Sequence, residues 1–394
     1  MIRYFNPGHE SAVLNASRYY QSPAIQLKMR KELAFLPAWY AKPEDFILVS
    51  ELPDEEYLKI LSRLRPLAKP ITEKDLPSIG KQKIDLWGSS PQAIHSFELL
   101  NEKYKTDLEL PIWKDEYKEL SSRKTGIKCL NRLISEIPEI KKDILPVSFS
   151  ELGELENYLT KQTEPMLAKS PHSSSGRGLL WLSPNPLGRS EQQIISGMLK
   201  KQESVSLEKA LKKQLDFSIH YNIEDKQTVT FYGYSVFEAN KKGAYRHSFL
   251  LSQEKHKEKI TNYVKEELLE KIKESIRCFL LEYYAPYYKG MIGIDMLIYQ
   301  EGDKYLLNPC IEINMRKTMG YLSLRLFDNY IHPDTTGAFY VDYYPDTSII
   351  DINKKELQKR HPLMIKDGYL QEGYFPLINI QKGMNYHAYI LLSS

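Results

Sequence analysis

A mixed α/β and α+β fold is predicted by three features of this sequence. Over roughly the first 110 residues, short apolar runs alternate with amphipathic helical stretches. Between about 216 and 251, three strand-like segments follow one another as a meander. After a long amphipathic helix come two neighbouring strands, 290–299 and 311–316, that carry polar residues on an otherwise apolar pattern. The chain has 394 residues, 42% of them apolar and 27% charged, enough for a large core and for two or three subdomains.

The elements follow in order. Residues 46–50 read as a short buried strand, 55–64 as an amphipathic helix and 84–88 as a strand ending at Gly88. Residues 91–104 form a helix with Pro91 in its first turn. Alternation of this kind predicts an α/β domain with a parallel sheet. No G-x-G-x-x-G follows any of its strands, so a dinucleotide-binding reading has no support. Residues 124–136 and 149–160 read as helices, with Ser121 or Ser122 placed to cap the first. A strand over 166–169, a Gly/Ser-rich loop and a strand over 179–182 come next. Residues 187–214 look helical, and 255–284 reads as one long helix. Beyond about 330 the chain is turn-rich, with strand candidates at 339–344 and 374–380.

Bulk properties exclude several classes of function. Net charge is +3, and the lysines of 254–273 are interleaved with acids, as on a solvated helix face. No nucleic-acid partner and no membrane partner is expected. No run of about 18 apolar residues exists to span a bilayer, and residues 1–7 lack the apolar core of a secretory signal. The three cysteines, Cys129, Cys278 and Cys310, lie far apart without metal or redox spacing and suit a reducing cytoplasm. The 28 tyrosines read mainly as half-buried sheet filler.

Chemistry concentrates in a few places. In Ile311-Glu312-Ile313-Asn314-Met315-Arg316, period-two alternation puts Glu312, Asn314 and Arg316 on one face, and Asp295 lies on the neighbouring strand. Carboxylate and amide oxygens of this kind suit Mg²⁺ bridging nucleotide phosphates, with an arginine to meet phosphate charge. An exposed sheet face with an ordinary salt bridge would have the same pattern. Lys169-Ser-Pro-His172-Ser173-Ser174-Ser175-Gly176-Arg177-Gly178 joins two strands with small residues and two cations. Its glycines allow consecutive amides to face a phosphate, although ligand-free hairpins also look like this. Glu208, Leu211 and Asp216 fall in a charged stretch that could serve an adenine and a ribose. Arg246 and His247 could face a phosphate or a carboxylate, though a lone histidine is more often structural.

Taken together and in order, these residues resemble the ATP-grasp superfamily of carboxylate–amine and carboxylate–thiol ligases, over about residues 110–325. The resemblance implies ATP held between two α+β subdomains within 116–330, with a boundary near 205. It implies an N-terminal α/β domain of the preATP-grasp kind over 1–115, and a β-rich C-terminal extension over 331–394 is expected to cap the ATP domain. Lys124 and Lys169 would contact phosphates, with Arg123 beside Lys124 as an alternative. The loop carrying Ser173, Ser174, Ser175, Gly176, Arg177 and Gly178 would close over the triphosphate. Glu208 and Leu211 would lie at the adenine hinge and Asp216 at the ribose. Asp295, Glu312 and Asn314 would ligate one or two Mg²⁺, with Mn²⁺ an alternative. Asp295 stands where many members carry glutamate. Arg316 would stabilise the transferring phosphoryl or acyl group, with Arg246 completing the catalytic pair.

The activity implied is an ADP-forming ligase that joins a small-molecule carboxylate to an amine through an acylphosphate. A small-molecule kinase or phosphotransferase on the same fold, and a non-catalytic nucleotide-binding module, are the competing readings. Many relatives are dimers, so a homodimer is compatible. Substrate elements are expected outside the core. Asn6-Pro-Gly-His9-Glu10 reads as a tight turn presenting polar groups, and Trp87-Gly88-Ser89-Ser90 ends a strand where open α/β sheets bind ligands.

Overall fold

The computed structural model describes residues 1–173, 178–240 and 243–393. The chain divides into two compact units, one built from 1–114, 246–256 and 316–394, the other from 115–245 and 257–315. Residues 331–394 thus belong to the same compact unit as the N-terminal segment. No helix among the described residues is long and apolar enough to cross a membrane.

In the first unit, Ile2–Tyr4, Phe46–Leu48, Lys69–Ile71 and Ile84–Leu86 form a parallel sheet. Ile2–Tyr4 is flanked by Phe46–Leu48 on one side and by Ile84–Leu86 on the other. The chain therefore runs outward from the first strand and returns to its opposite side, so the order reverses between Ile2–Tyr4 and Ile84–Leu86. Ile2, Leu48, Ile71, Leu86 and Phe97 form the core under this sheet. The same unit holds all but the first residue of Tyr245–Leu250, with Thr336–Tyr343, Tyr386–Ser393, Tyr369–Pro376 and Met364–Lys366, paired antiparallel in that order.

The region after 330 is not simply turn-rich: Ser348–Arg360 is a helix. The helix Met319–Tyr330 buries Leu322, Leu326 and Tyr330, which belong to the same core as Trp39 and Phe375. Nor does the tight turn at Asn6 continue to Glu10. It ends at Gly8, whose φ of 73° is left-handed, and His9–Asn15 is a short helix.

The second unit contains two antiparallel sheets. In one, strands run in the order Lys304–Asn314, Gly290–Glu301, Lys213–Ile223 and Val229–Ala239. Phe217, Ile219 and Tyr221 are buried on one side, where the Tyr221 hydroxyl donates to the Lys273 carbonyl of helix Glu266–Tyr283 at 2.7 Å. Alternation sends Asp216, Ser218 and His220 to the other side. The sequence spacing between Asp295 and Glu312 is absorbed by an irregularity. Leu297 pairs with Asn308 but Asp295 pairs with Glu312, so Pro309, Cys310 and Ile311 are accommodated against Met296 alone.

The other sheet runs Val147–Phe149, Val205–Lys209, Met166–Lys169, Leu179–Leu182 and packs on Leu155, Leu159 and Ile195. Here the helix expected over 187–214 stops at Gln202. Glu203 takes a left-handed φ of 64°, and Val205–Lys209 becomes an inner strand paired on both sides. Sheet pairing overrides helical charge periodicity there. The helix expected over 149–160 is likewise the strand Val147–Phe149 followed by the helix Leu152–Leu159. The long helix expected over 255–284 is two helices, Gln253–Thr261 and Glu266–Tyr283, separated where Lys265 adopts extended backbone as N-cap.

Candidate functional site

The polar side of the larger sheet in the second unit brings together Asp295, Glu312 and Asn314 of the residues singled out from sequence. Asp295 lies directly across from Ser218 on one neighbouring strand and from Glu312 on the other. The Ser218 hydroxyl donates to Asp295 Oδ1 at 2.6 Å, and Asn314 Nδ2 donates to Asp295 Oδ2 at 3.0 Å. Glu312 forms an ion pair with Arg123 at 3.1 Å. Four donors and acceptors from three strands thus meet at one carboxylate-centred patch.

Arg123 is the first residue of helix Arg123–Glu136, capped by the Ser122 hydroxyl. Its guanidinium is nearly buried. Nε donates to the Ser170 carbonyl at 3.1 Å and Nη2 to the Ser173 hydroxyl at 3.1 Å. Arg123 therefore ties the stem of the Gly/Ser-rich loop to the strand that bears Glu312. Lys124, one residue on, turns 100° around the helix and is exposed. Of the two adjacent cations, Arg123 is the one that faces the loop and the carboxylates.

The loop stem is built from several directions. Gly178 has a φ of +72°, and a Cβ there would lie 2.9 Å from the Cβ of Ser173. Both the backbone conformation and the close approach require glycine. The Gln202 side chain pairs with His172 as a strand would, accepting from its N–H at 2.7 Å and donating to its carbonyl at 3.0 Å. Ser174, Ser175, Gly176 and Arg177 lie outside the described residues.

Lys169 and Glu208 come together as an ion pair between adjacent strands, both largely buried. Burial of such a pair requires good geometry to offset desolvation. Leu211 is half-buried between Val205–Lys209 and Lys213–Ile223. Asp216 accepts from Lys213 Nζ at 2.7 Å and from the Ala239 N–H at 3.3 Å. Burial raises its carboxyl above the ordinary range, although Lys213 opposes the shift.

The donor set around Asp295 consists only of oxygens: two carboxylates and the amide oxygen that Asn314 keeps after its nitrogen turns to Asp295. That chemistry fits a hard divalent cation which retains several waters. No group of three or more His, Cys, Asp or Glu side chains arranged to hold a metal occurs among the described residues. Fewer protein ligands than a closed cage supplies are expected where phosphate oxygens complete the shell.

A second cluster lies in the first unit, at the carboxyl ends of Ile2–Tyr4 and Ile84–Leu86, where the strand order reverses. Arg316 Nε donates to Glu10 Oε1 at 2.7 Å. Lys317 anchors the segment: its backbone N–H donates to the Trp87 carbonyl at 3.1 Å and its Nζ to Asp85 at 2.7 Å. Asn6 bridges to Gly88 through both halves of its amide, donating to the carbonyl at 2.6 Å and accepting from the N–H at 3.2 Å. The His9 ring packs so closely on Gly88 that a Cβ there would lie 2.5 Å from it. Arg246 is exposed on the strand Tyr245–Leu250 of this unit.

Sequence reasoning did not single out Glu10 as the partner of Arg316, nor Ser218 and Gln202. Ser218 stands two residues after Asp216, and period-two spacing could have found it. Glu10 and Gln202 act across distances in sequence that leave no local trace.

No protein-family model and no curated protein matches this sequence. Solved structures do. One is N5-carboxyaminoimidazole synthetase from Staphylococcus aureus complexed with ADP, at 14% identity and a TM-score of 0.50, covering 100% of this chain and 93% of that one. Another is a biotin carboxylase–β-γ-ATP complex from Campylobacter jejuni, at 10% identity and a TM-score of 0.52, covering 100% of this chain and 87% of that one. At such identities the likeness is one of fold, and the fold of this chain is ATP-grasp.

Proposed function

We propose that this chain is an ATP- and Mg²⁺-dependent ligase that activates a substrate carboxylate as an acylphosphate for attack by an amine, releasing ADP and orthophosphate. The observation that carries the reading is the patch where Asp295, Glu312 and Asn314 converge while Arg123 links Glu312 to the loop stem. The nucleotides named for the two similar structures, ADP and β-γ-ATP, support it.

On this reading Arg123 and Lys169 hold phosphate charge, and Glu208 and Asp216 address the base and the ribose. Asp295, Glu312 and Asn314 would hold Mg²⁺, which when bound neutralises phosphate charge. Such chemistry asks the protein mainly for positioning and charge compensation. An oxygen of the substrate carboxylate bonds to the γ-phosphorus as the bond to ADP breaks. The amine nitrogen then bonds to the acyl carbon as orthophosphate leaves, and the amine loses a proton. No side-chain nucleophile takes part.

The test is turnover of Mg²⁺-ATP against pooled amino acids, dipeptides and small carboxylic acids, with ADP and orthophosphate quantified together. Substrate-dependent release of both is expected from the native chain and none from Glu312→Gln, whose circular dichroism should be unchanged. ADP without orthophosphate would replace the ligase by a kinase. A fully active Glu312→Gln would sink the metal assignment.

A further inference from the structure

Among the described residues, Glu10 Oε2, His9 Nδ1 and Ser89 Oγ are buried polar atoms of the first unit without hydrogen-bond partners, on two segments that the contact of the His9 ring with Gly88 brings together. They belong to the cluster at the reversal of strand order, where open α/β sheets bind ligands. Glu10 Oε1 is taken by Arg316, but Oε2 is not. The approach of His9 Nδ1 to Glu10 Oε2, at 3.6 Å, is longer than a hydrogen bond. Ser89 follows Gly88, the residue on which the His9 ring packs.

Leaving such atoms unpaired in a folded interior is expensive, and clusters of them are uncommon. A purely structural Glu10 would need only to neutralise Arg316, and one oxygen does that. The remaining carboxylate oxygen, a neutral imidazole nitrogen and a hydroxyl are all capable of accepting. A primary ammonium has three N–H donors and one positive charge, which match three acceptors of which one is anionic. The Glu10 side chain is 12% exposed and that of Arg316 17%, while the three acceptor atoms themselves lie beneath the surface.

We propose that this cluster binds the protonated primary amine of a small-molecule substrate, with Glu10 the residue that selects for it. The proposal rests on the ligase reading, in which one substrate brings an amine, and it names the place where that amine is recognised as its ammonium, which gives up one proton to solvent before its nitrogen attacks and a second as the amide forms. His9 and Ser89 orient the ammonium, and Arg316 keeps Glu10 ionised and fixed. A substrate that carries a hydroxyl in place of the amine is excluded, because it leaves the carboxylate oxygen without a charged donor.

The test is a saturation-transfer NMR titration of the full chain with methylammonium chloride, with methanol as the neutral control. Binding of a fluorescent ATP analogue is measured in parallel. Methylammonium should bind the native chain and methanol should not. Glu10→Gln should weaken methylammonium binding at least about tenfold while ATP-analogue binding stays unchanged, and Glu10→Asp should keep most of it. Equal binding by native chain and Glu10→Gln, or no binding to the native chain, overturns the proposal. If Glu10→Gln loses the ATP analogue as well, Ser89→Ala decides: a severalfold weakening supports the site and none overturns it. Loss of methylammonium alone in Glu10→Gln, in a chain that never binds the ATP analogue, would keep the amine site and sink the ligase reading.

Discussion

Acid should loosen the first unit through Glu10, in a pH window that its depressed carboxyl defines. Burial by itself would raise the Glu10 carboxyl, but neighbouring His9 and Arg316 more than reverse this and bring it from 4.5 to about 2. His9, lowered from 6.5 to about 4 chiefly by burial, is uncharged at neutral pH. Below about pH 4 the His9 imidazolium joins Arg316 in holding the Glu10 carboxyl down, and at pH 7 Arg316 remains as its charged neighbour. Because the folded-state value is depressed, the stabilisation is complete above the unfolded value of 4.5 and is lost as pH falls towards about 2. A shift of roughly 2.5 units at about 1.4 kcal/mol each corresponds to about 3 kcal/mol.

About 2 kcal/mol of that should disappear between roughly pH 4.5 and pH 3. The assay is urea unfolding of native chain and Glu10→Gln between neutral pH and pH 3. Fluorescence of Trp39 and Trp87, both buried in the first unit, reports the transition. Native stability should fall more steeply than that of the variant below about pH 4.5. Parallel curves through that window would refute the argument, since they would mean that His9 and Arg316 together do not hold the Glu10 proton off.

Further outcomes follow from other parts of the structure. His9→Asn should flatten the pH dependence between 6.5 and about 4, because the native histidine stays neutral there while the unfolded one takes up a proton; the same unfolding series measures it. Arg123→Met should weaken ATP-analogue binding at least about tenfold and Lys124→Met less than about twofold, because only Arg123 contacts Ser170, Ser173 and Glu312; fluorescence titration distinguishes them. Gly178→Ala places a side chain at φ +72° and 2.9 Å from Ser173, and should cost about 1–3 kcal/mol locally, seen as faster amide exchange around 170–173. Gly88→Ala drives a methyl group into the His9 ring and should lower the stability of the first unit by about 1–3 kcal/mol, measured by thermal unfolding.

The legible part of the site was that written in period two. Asp295 in an apolar run, and Glu312 and Asn314 two residues apart, announced strands whose polar side would converge, and the register brings them together. The fold was legible where hydrophobic alternation was strong, as in Lys213–Ile223, or where an apolar run marked a buried strand, as in Gly290–Glu301. It was obscure where neighbours decide. Val205–Lys209 sits amid helix-like charge spacing but lies between two strands, and pairing on both sides outweighs its local preference. Choosing between Arg123 and Lys124 needed the phase of the helix, which the Ser122 cap fixes and composition does not. Glu10 and Arg316 are 306 residues apart in sequence, and no pattern short of the folded chain links them.

The Asn6–Gly88 bridge has a consequence for how the two strands part at the reversal point. Backbone pairing between Ile2–Tyr4 and Ile84–Leu86 ends with the Trp87 N–H on the Tyr4 carbonyl at 2.9 Å. Beyond it, the next rung of the ladder is a side chain. An amide offers one donor and one acceptor, as a peptide group does, but on a stem that holds the two main chains farther apart. The strands can diverge there and still stay joined, with the His9 ring packed on Gly88 where they part. An aspartate lacks the donor half of that rung, and a leucine of similar size has neither half. The parting of the two chains is thus bridged by one carboxamide serving as a spacer.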